Sequence, residues 1–134
     1  MNIRRSIVQT KRAFLTSVIL SLLAINPAGS AEIKAEARSF PAFWAQFKAA
    51  VQKQDKEAVA GMTKFPFMGK YLSKADFIKG YALILDERTR RCFRNAKPVK
   101  DDKGDGYSVL CGEEIFSFSK VNGEYRFTDI GMND

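Results

Sequence analysis

"IFSFSKVNGEYRF", residues 115 to 127, alternates apolar and polar side chains on both sides of Asn122-Gly123. Asn-Gly between two alternating runs calls for a two-residue type I′ hairpin, because both central residues of that turn need positive φ. The turn sets a register in which Val121 faces Glu124 and Phe118 faces Phe127. Phe116, Phe118, Tyr125 and Phe127 then share one side of the ribbon, while Ser117, Ser119, Arg126 and Thr128 take the wet side. A second tight turn at Gly112-Glu113 pairs Cys111 with Glu114, and Tyr107, Val109 and Cys111 extend the same apolar side. A sheet with one aromatic face needs helices to cover it, and the preceding residues supply them.

Phe40, Phe43, Trp44, Phe47, Ala50 and Val51 fall at i, i+3, i+4, i+7, i+10 and i+11. That spacing makes one amphipathic helix, with Ser39 as its N-cap and Pro41 in the first turn, where a missing N–H is harmless. Asp55 caps a short second helix through Ala58, Val59 and Met62, which "KFPF" (64 to 67) ends. Ser73 with Asp76 forms a capping box for a third helix, with Phe77, Ile78, Tyr81, Ile84 and Leu85 on its apolar face. The third helix is expected to run to about Asn95, supported by Asp86–Arg90 and Glu87–Arg91 pairs at i,i+4. Pro98 stops it, and "KDDKGDG" (100 to 106) reads as a polar loop. The fold class expected is α+β, with N-terminal helices packed on a curved C-terminal antiparallel sheet.

Ahead of this domain, Arg4, Arg5, Lys11 and Arg12 precede the uncharged stretch "AFLTSVILSLLAI" (13 to 25), and Gly29 and Ala31 stand where a signal peptidase reads. The apolar run is shorter than the roughly 20 residues of a spanning helix, so residues 1–31 read as a cleaved signal peptide and 32–134 as one α+β domain. Periplasm or secretion is the expected location, with no membrane anchor after cleavage. The leader holds four of the 22 basic residues and none of the 15 acidic ones, which leaves a mature charge of +3. Such a charge keeps a small domain soluble and gives no nucleic-acid signature.

Cys92 sits in "RRCFRNAK" (90 to 97) among basic side chains, with Cys111 as the other cysteine. Outside the cytoplasm two cysteines in a domain of this size read as one disulfide, and the register turns Cys111 toward the helices. A reactive Cys92 thiolate would need a base, and the chain contains no histidine. The same absence closes Ser-His-Asp hydrolysis and histidine metal sites. Asp101, Asp105 and Gly106 imitate part of a calcium loop, but Lys103 and Gly112 occupy positions where ligands belong, so the segment reads as a solvated turn. No metal and no cofactor are expected.

Arg88, Arg90, Arg91 and Arg94 make a basic helix face that suits an anionic partner, set against the plainer reading of a solvated face balanced by Asp86 and Glu87. Trp44, Tyr81, Tyr107 and Tyr125 carry polar-tipped rings that line either a core or a ligand pocket between helices and sheet.

The runs "FWAQFKAAVQKQDKEAVAGMTKFPF" (43 to 67), "LSKADFIKGYALIL" (72 to 85) and "IFSFSKVNGEYRFTDIG" (115 to 131) resemble small exported bacterial proteins of unassigned function. These resemble the nuclear transport factor 2-like superfamily, which implies a cone-like fold of helices against a curved sheet. Enzymatic members use Asp and His inside the cone, and the resemblance transfers no catalytic residue to this chain. The expected function is a non-enzymatic binding or accessory protein of the cell envelope, for a small ligand or an envelope partner, and compatible with a homodimer. An interaction module using the Arg88–Arg94 face is the alternative, and a cone-type enzyme using Asp129 or Asp76 is a third reading. Mass spectrometry of the exported protein is expected to find a chain starting at Glu32 and lighter by the two hydrogens lost in a disulfide; a chain retaining Met1 would refute the leader.

Overall fold

The computed structural model describes residues 38–133; the leader and cleavage point expected from the sequence lie outside them. Helix α1 spans Phe40–Gln52, capped by Ser39, whose hydroxyl accepts the Ala42 N–H at 3.4 Å. It buries Phe40, Trp44, Phe47, Ala50 and Val51, as the apolar spacing requires. Helix α2 spans Lys56–Gly61, and the Asp55 carboxylate accepts its Ala58 N–H at 3.0 Å. Helix α3 spans Lys74–Ile84 behind the Ser73/Asp76 capping box.

The single helix expected from Ser73 to Asn95 does not form. Leu85 leaves helical geometry at φ −127°, ψ 72°, and Asp86 is extended at φ −71°, ψ 179°. A new helix, α4, spans Glu87–Asn95, with Asp86 as its N-cap accepting the Thr89 N–H at 2.8 Å. An aspartate that binds the backbone ahead of it competes with helix continuation, and here the cap wins over an ion pair with Arg90. Arg90 instead reaches Glu87 at 2.8 Å, an i,i+3 pair. The break sends Thr89 and Phe93 inward on a helix that touches α1 and the sheet.

The sheet has four antiparallel strands in the order β1-β2-β3-β4: Val99–Lys100, Tyr107–Cys111, Glu114–Val121 and Glu124–Met132. Asn122 (φ 53°) and Gly123 (φ 82°) make the β3–β4 turn, and Val121 faces Glu124 with Phe118 facing Phe127. Cys111 faces Glu114 across the β2–β3 turn, where Gly112 is at φ 67°. Lys100, read from sequence as the start of a loop, belongs instead to β1 and pairs with Tyr107. Two residues between a proline and a polar turn are too short a run to show a strand period.

Beyond Phe127 the alternation slips. Ser117 pairs with Asp129 while Phe118 pairs with Phe127, so Thr128 is the extra residue of a β-bulge, and its hydroxyl donates to the Ser117 carbonyl at 3.1 Å. The slip sets Ile130 beside Phe116 and turns Asp129 away from the apolar side.

Rings fill the interior. Phe47 lies 5.2 Å from Phe118 and 5.3 Å from Phe127, centroid to centroid, and Phe93 meets Phe116 edge-on at 4.9 Å. Edge-to-face pairs of this kind are the favourable arrangement of ring quadrupoles. Phe47, Phe93, Phe116, Phe118 and Phe127 are fully buried. Cys92 on α4 and Cys111 on β2 form a disulfide, with Cα atoms 5.8 Å apart.

The bridge closes a loop with a sequence separation of 19 residues. Replacing both cysteines by alanine is expected to lower the unfolding free energy by roughly 3 kcal/mol, seen as a lower urea midpoint; an unchanged midpoint would show that the bridge contributes nothing. Asp86→Ala is expected to cost about 1 kcal/mol. Because the Thr89 backbone hydrogen bond holds the Asp86 carboxyl below its ordinary range, that stabilisation is present above the unfolded-state value and is lost as pH falls through the folded one. Urea curves for wild type and Asp86→Ala should therefore converge in acid, and a gap that stays constant with pH contradicts the cap.

Candidate functional site

The β3–β4 hairpin places Glu124, Tyr125 and Arg126 at the start of β4. Phe43 and Gln46, three residues apart, occupy one side of α1, and Met62 closes α2 as its C-cap. Together with Arg38 these residues line a cavity of about 200 Å³ between α1 and β4. Its floor is apolar. The Phe43 ring lies 6.1 Å from Tyr125 and is anchored behind by Phe47 at 5.8 Å and Phe118 at 5.9 Å. Tyr125 is held edge-on against Phe40 at 5.1 Å.

The rim is basic. Arg126 donates through Nη1 to the Gly61 carbonyl and through Nη2 to Glu124, each at 2.6 Å, which fixes the guanidinium between the end of α2 and β4. Arg38 is exposed and makes no ion pair among the described residues. Burial raises the Tyr125 hydroxyl, with the Lys120 ammonium opposing, so at neutral pH it stays a protonated hydrogen-bond donor. One acid already tied to Arg126, set against two arginines, leaves the mouth positive.

The residues singled out from sequence are dispersed. Trp44 is core, with Phe93 at 5.3 Å and Phe118 at 5.6 Å. Tyr107 stacks on Phe40 at 3.7 Å with the rings parallel to within 1°. Tyr81 lies on α3 and lines a second cavity, of about 160 Å³, with Gln54, Lys56, Ala82, Leu85, Asp86, Glu87 and Arg90. Of the four aromatic residues only Tyr125 reaches the larger cavity. Arg126, expected on the wet side of the sheet, lines that cavity as well, because the segment after α2 pairs along the outer edge of β4 at Phe127 and brings the Gly61 carbonyl within reach of its guanidinium.

The four arginines of α4 point in different directions. Arg90 turns to Glu87 and the smaller cavity. Arg88 lies over Gly112, where a Cβ would meet its Nη2 at 2.5 Å, while Arg91 and Arg94 face solvent. The carboxylates of the enzymatic reading are occupied: Asp76 accepts from the Ser73 N–H at 3.1 Å and its hydroxyl at 2.8 Å, and exposed Asp129 accepts the Ile130 N–H at 2.9 Å. The bulge at Thr128 removes Asp129 from the apolar side that unbroken alternation would have given it. Asp101 and Asp105 hold Ser108 at 2.8 Å and Lys120 at 3.1 Å.

No helix among the described residues is long and apolar enough to cross a membrane. Phe43, Met62, Arg38 and Arg126 escaped the sequence reading as a site because they come from three separate segments, the start of α1, the end of α2 and β4, and no spacing links them. The chain matches no protein-family model, no curated protein and no solved structure.

Proposed function

We propose that this chain is an exported, non-catalytic binding protein that takes an apolar group ending in an anionic head into the cavity between α1 and β4. The observation that carries the reading is the pairing of an apolar floor, Phe43, Met62 and Tyr125, with a rim of Arg38 and a hydrogen-bonded Arg126. An arginine held in place by a backbone carbonyl presents its remaining N–H groups with little further loss of rotamer freedom. The cavity, at about 200 Å³, is smaller than the roughly 300 Å³ at which drug-sized pockets begin, so it suits one end of a ligand. A short alkyl or aryl carboxylate fits that chemistry.

Export is supported by the basic and apolar leader and by the disulfide, which is compatible with an oxidising compartment. The proposed arrangement is cone-like, with helices against a curved sheet. The element order and the ring contacts between α1 and strands β3 and β4 support it.

A second reading, docking of an envelope protein, draws on one observation. Val99 and Leu110 are 68% and 56% exposed, and Leu110 pairs with Ile115 on the side of the sheet away from the buried rings.

Titration of ¹⁵N-labelled protein with octanoate is expected to shift the amides of Phe43, Met62, Tyr125 and Arg126 saturably, while octanol leaves them unmoved. Arg126→Ala should weaken octanoate about ten-fold, the loss of roughly one charge-assisted hydrogen bond. The absence of saturable shifts at these four positions overturns the ligand reading.

A further inference from the structure

The stretch from Lys64 to Leu83 carries four lysines, Lys64, Lys70, Lys74 and Lys79, against one acid, Asp76. That acid is engaged, because its carboxylate accepts the Ser73 N–H and hydroxyl at the start of α3. Lys74 pairs with Glu57 at 2.9 Å, whereas Lys70 and Lys79 are exposed and make no ion pair among the described residues. The same stretch presents large apolar side chains to solvent. Leu72 and Leu83 are 69% and 83% exposed, and Met68 is exposed beside them in the chain.

Contacts join these groups into one face. Phe67 and Tyr71 exchange two backbone hydrogen bonds, at 2.8 and 3.0 Å, which close a tight loop with Met68, Gly69 and Lys70 at its tip. The Tyr71 ring lies against Gly80 of α3, so near that a Cβ at Gly80 would collide with it. The Lys70 ammonium stands 5.3 Å from the centre of the same ring. Leu83 follows Gly80 by three residues and Lys79 by four, which makes the three neighbours on α3, and Asp76 and exposed Ala75 lie one turn before them. Leu72 links the loop to the Ser73 cap.

This combination decides the chemistry of the partner. An ordinary solvated helix face carries polar side chains where α3 has Ala75 and Leu83, and a face meant for a protein core has no place for unpaired lysines. Apolar side chains standing among free ammoniums match a lipid surface, where the former enter the acyl boundary and the latter meet anionic phosphates.

We propose that the outer side of α3 and the Phe67–Tyr71 loop together dock on a membrane of anionic phospholipids, with Met68, Leu72 and Leu83 entering the headgroup boundary and Lys70 and Lys79 held at the phosphates. The docking is peripheral, since no helix among the described residues is long and apolar enough to cross a membrane. The face shares no residue with the α1–β4 cavity, so its test is separate from that of the ligand reading.

The test sediments the exported protein with sucrose-loaded vesicles, one set of phosphatidylcholine alone and one with roughly a third phosphatidylglycerol. Binding is expected to the anionic set only, and it should fall as salt screens the lysines. Lys70→Gln combined with Lys79→Gln should weaken it about thirty-fold, or roughly five-fold per lysine, and Leu83→Ser about ten-fold. Leu110→Ser, on the bare side of the sheet, should bind as wild type does. All four positions are exposed, so the variants should fold, which near-ultraviolet circular dichroism of the buried rings checks. Should Leu83→Ser lose that spectrum, the lysine pair decides. The proposal is overturned by binding to neither set, which would leave an acidic protein as the partner, by equal binding to both sets, or by a lysine variant that binds as wild type does.

Discussion

The register set at Asn122-Gly123 is the constraint on which the rest of the molecule hangs. With Val121 opposite Glu124, the rings of Phe116, Phe118 and Phe127 stand on one side of β3 and β4 and are fully buried there. A slip of one residue would exchange them for Ser117, Ser119 and Arg126, leaving Phe47 and Phe93 without their ring partners. The same parity, carried through the β2–β3 turn, points Cys111 at Cys92. Hairpin, core and covalent bridge are therefore one geometric decision taken at a two-residue turn.

Two local devices then adjust that plan. Asp86 ends one helix and starts another, so that Phe93 and Cys92 approach the sheet at an angle a continuous α3 would not allow. Thr128 inserts one residue into β4, which resets the alternation, brings Ile130 beside Phe116 and exposes Asp129. Each device substitutes a side-chain hydrogen bond for a regular backbone pattern. Both act where a small domain has little surplus stability to spend on irregularity, and the disulfide near them offsets that weakness.

The two cavities lie where the aromatic packing gives way to charged side chains. In the larger one the core's own rings, Phe43 and Tyr125, continue outward as a floor beneath Arg38 and Arg126. In the smaller one a core tyrosine borders Lys56, Asp86, Glu87 and Arg90, of which Arg90 and Glu87 are paired with each other. The carboxylates of the enzymatic reading, Asp76 and Asp129, are tied to local backbone groups.

Everything with a short period or a short reach was determined by the sequence itself. The 3.6-residue spacing of α1, the Ser39, Asp55 and Ser73 caps, the Asn-Gly turn and the side of the sheet that Cys111 faces are each encoded within a few residues, where propensity and sterics act directly. The break at Asp86, the bulge at Thr128 and strand β1 were decided by tertiary structure. At Asp86 the break brings Phe93 against Phe116 and Cys92 to Cys111, at Thr128 the bulge brings Ile130 beside Phe116, and β1 exists only through its pairing with β2. The cavities were least legible of all. Met62 and Arg126 join Arg38 and Phe43 only through packing, and the Tyr81 hydroxyl is left without a hydrogen-bond partner among the described residues.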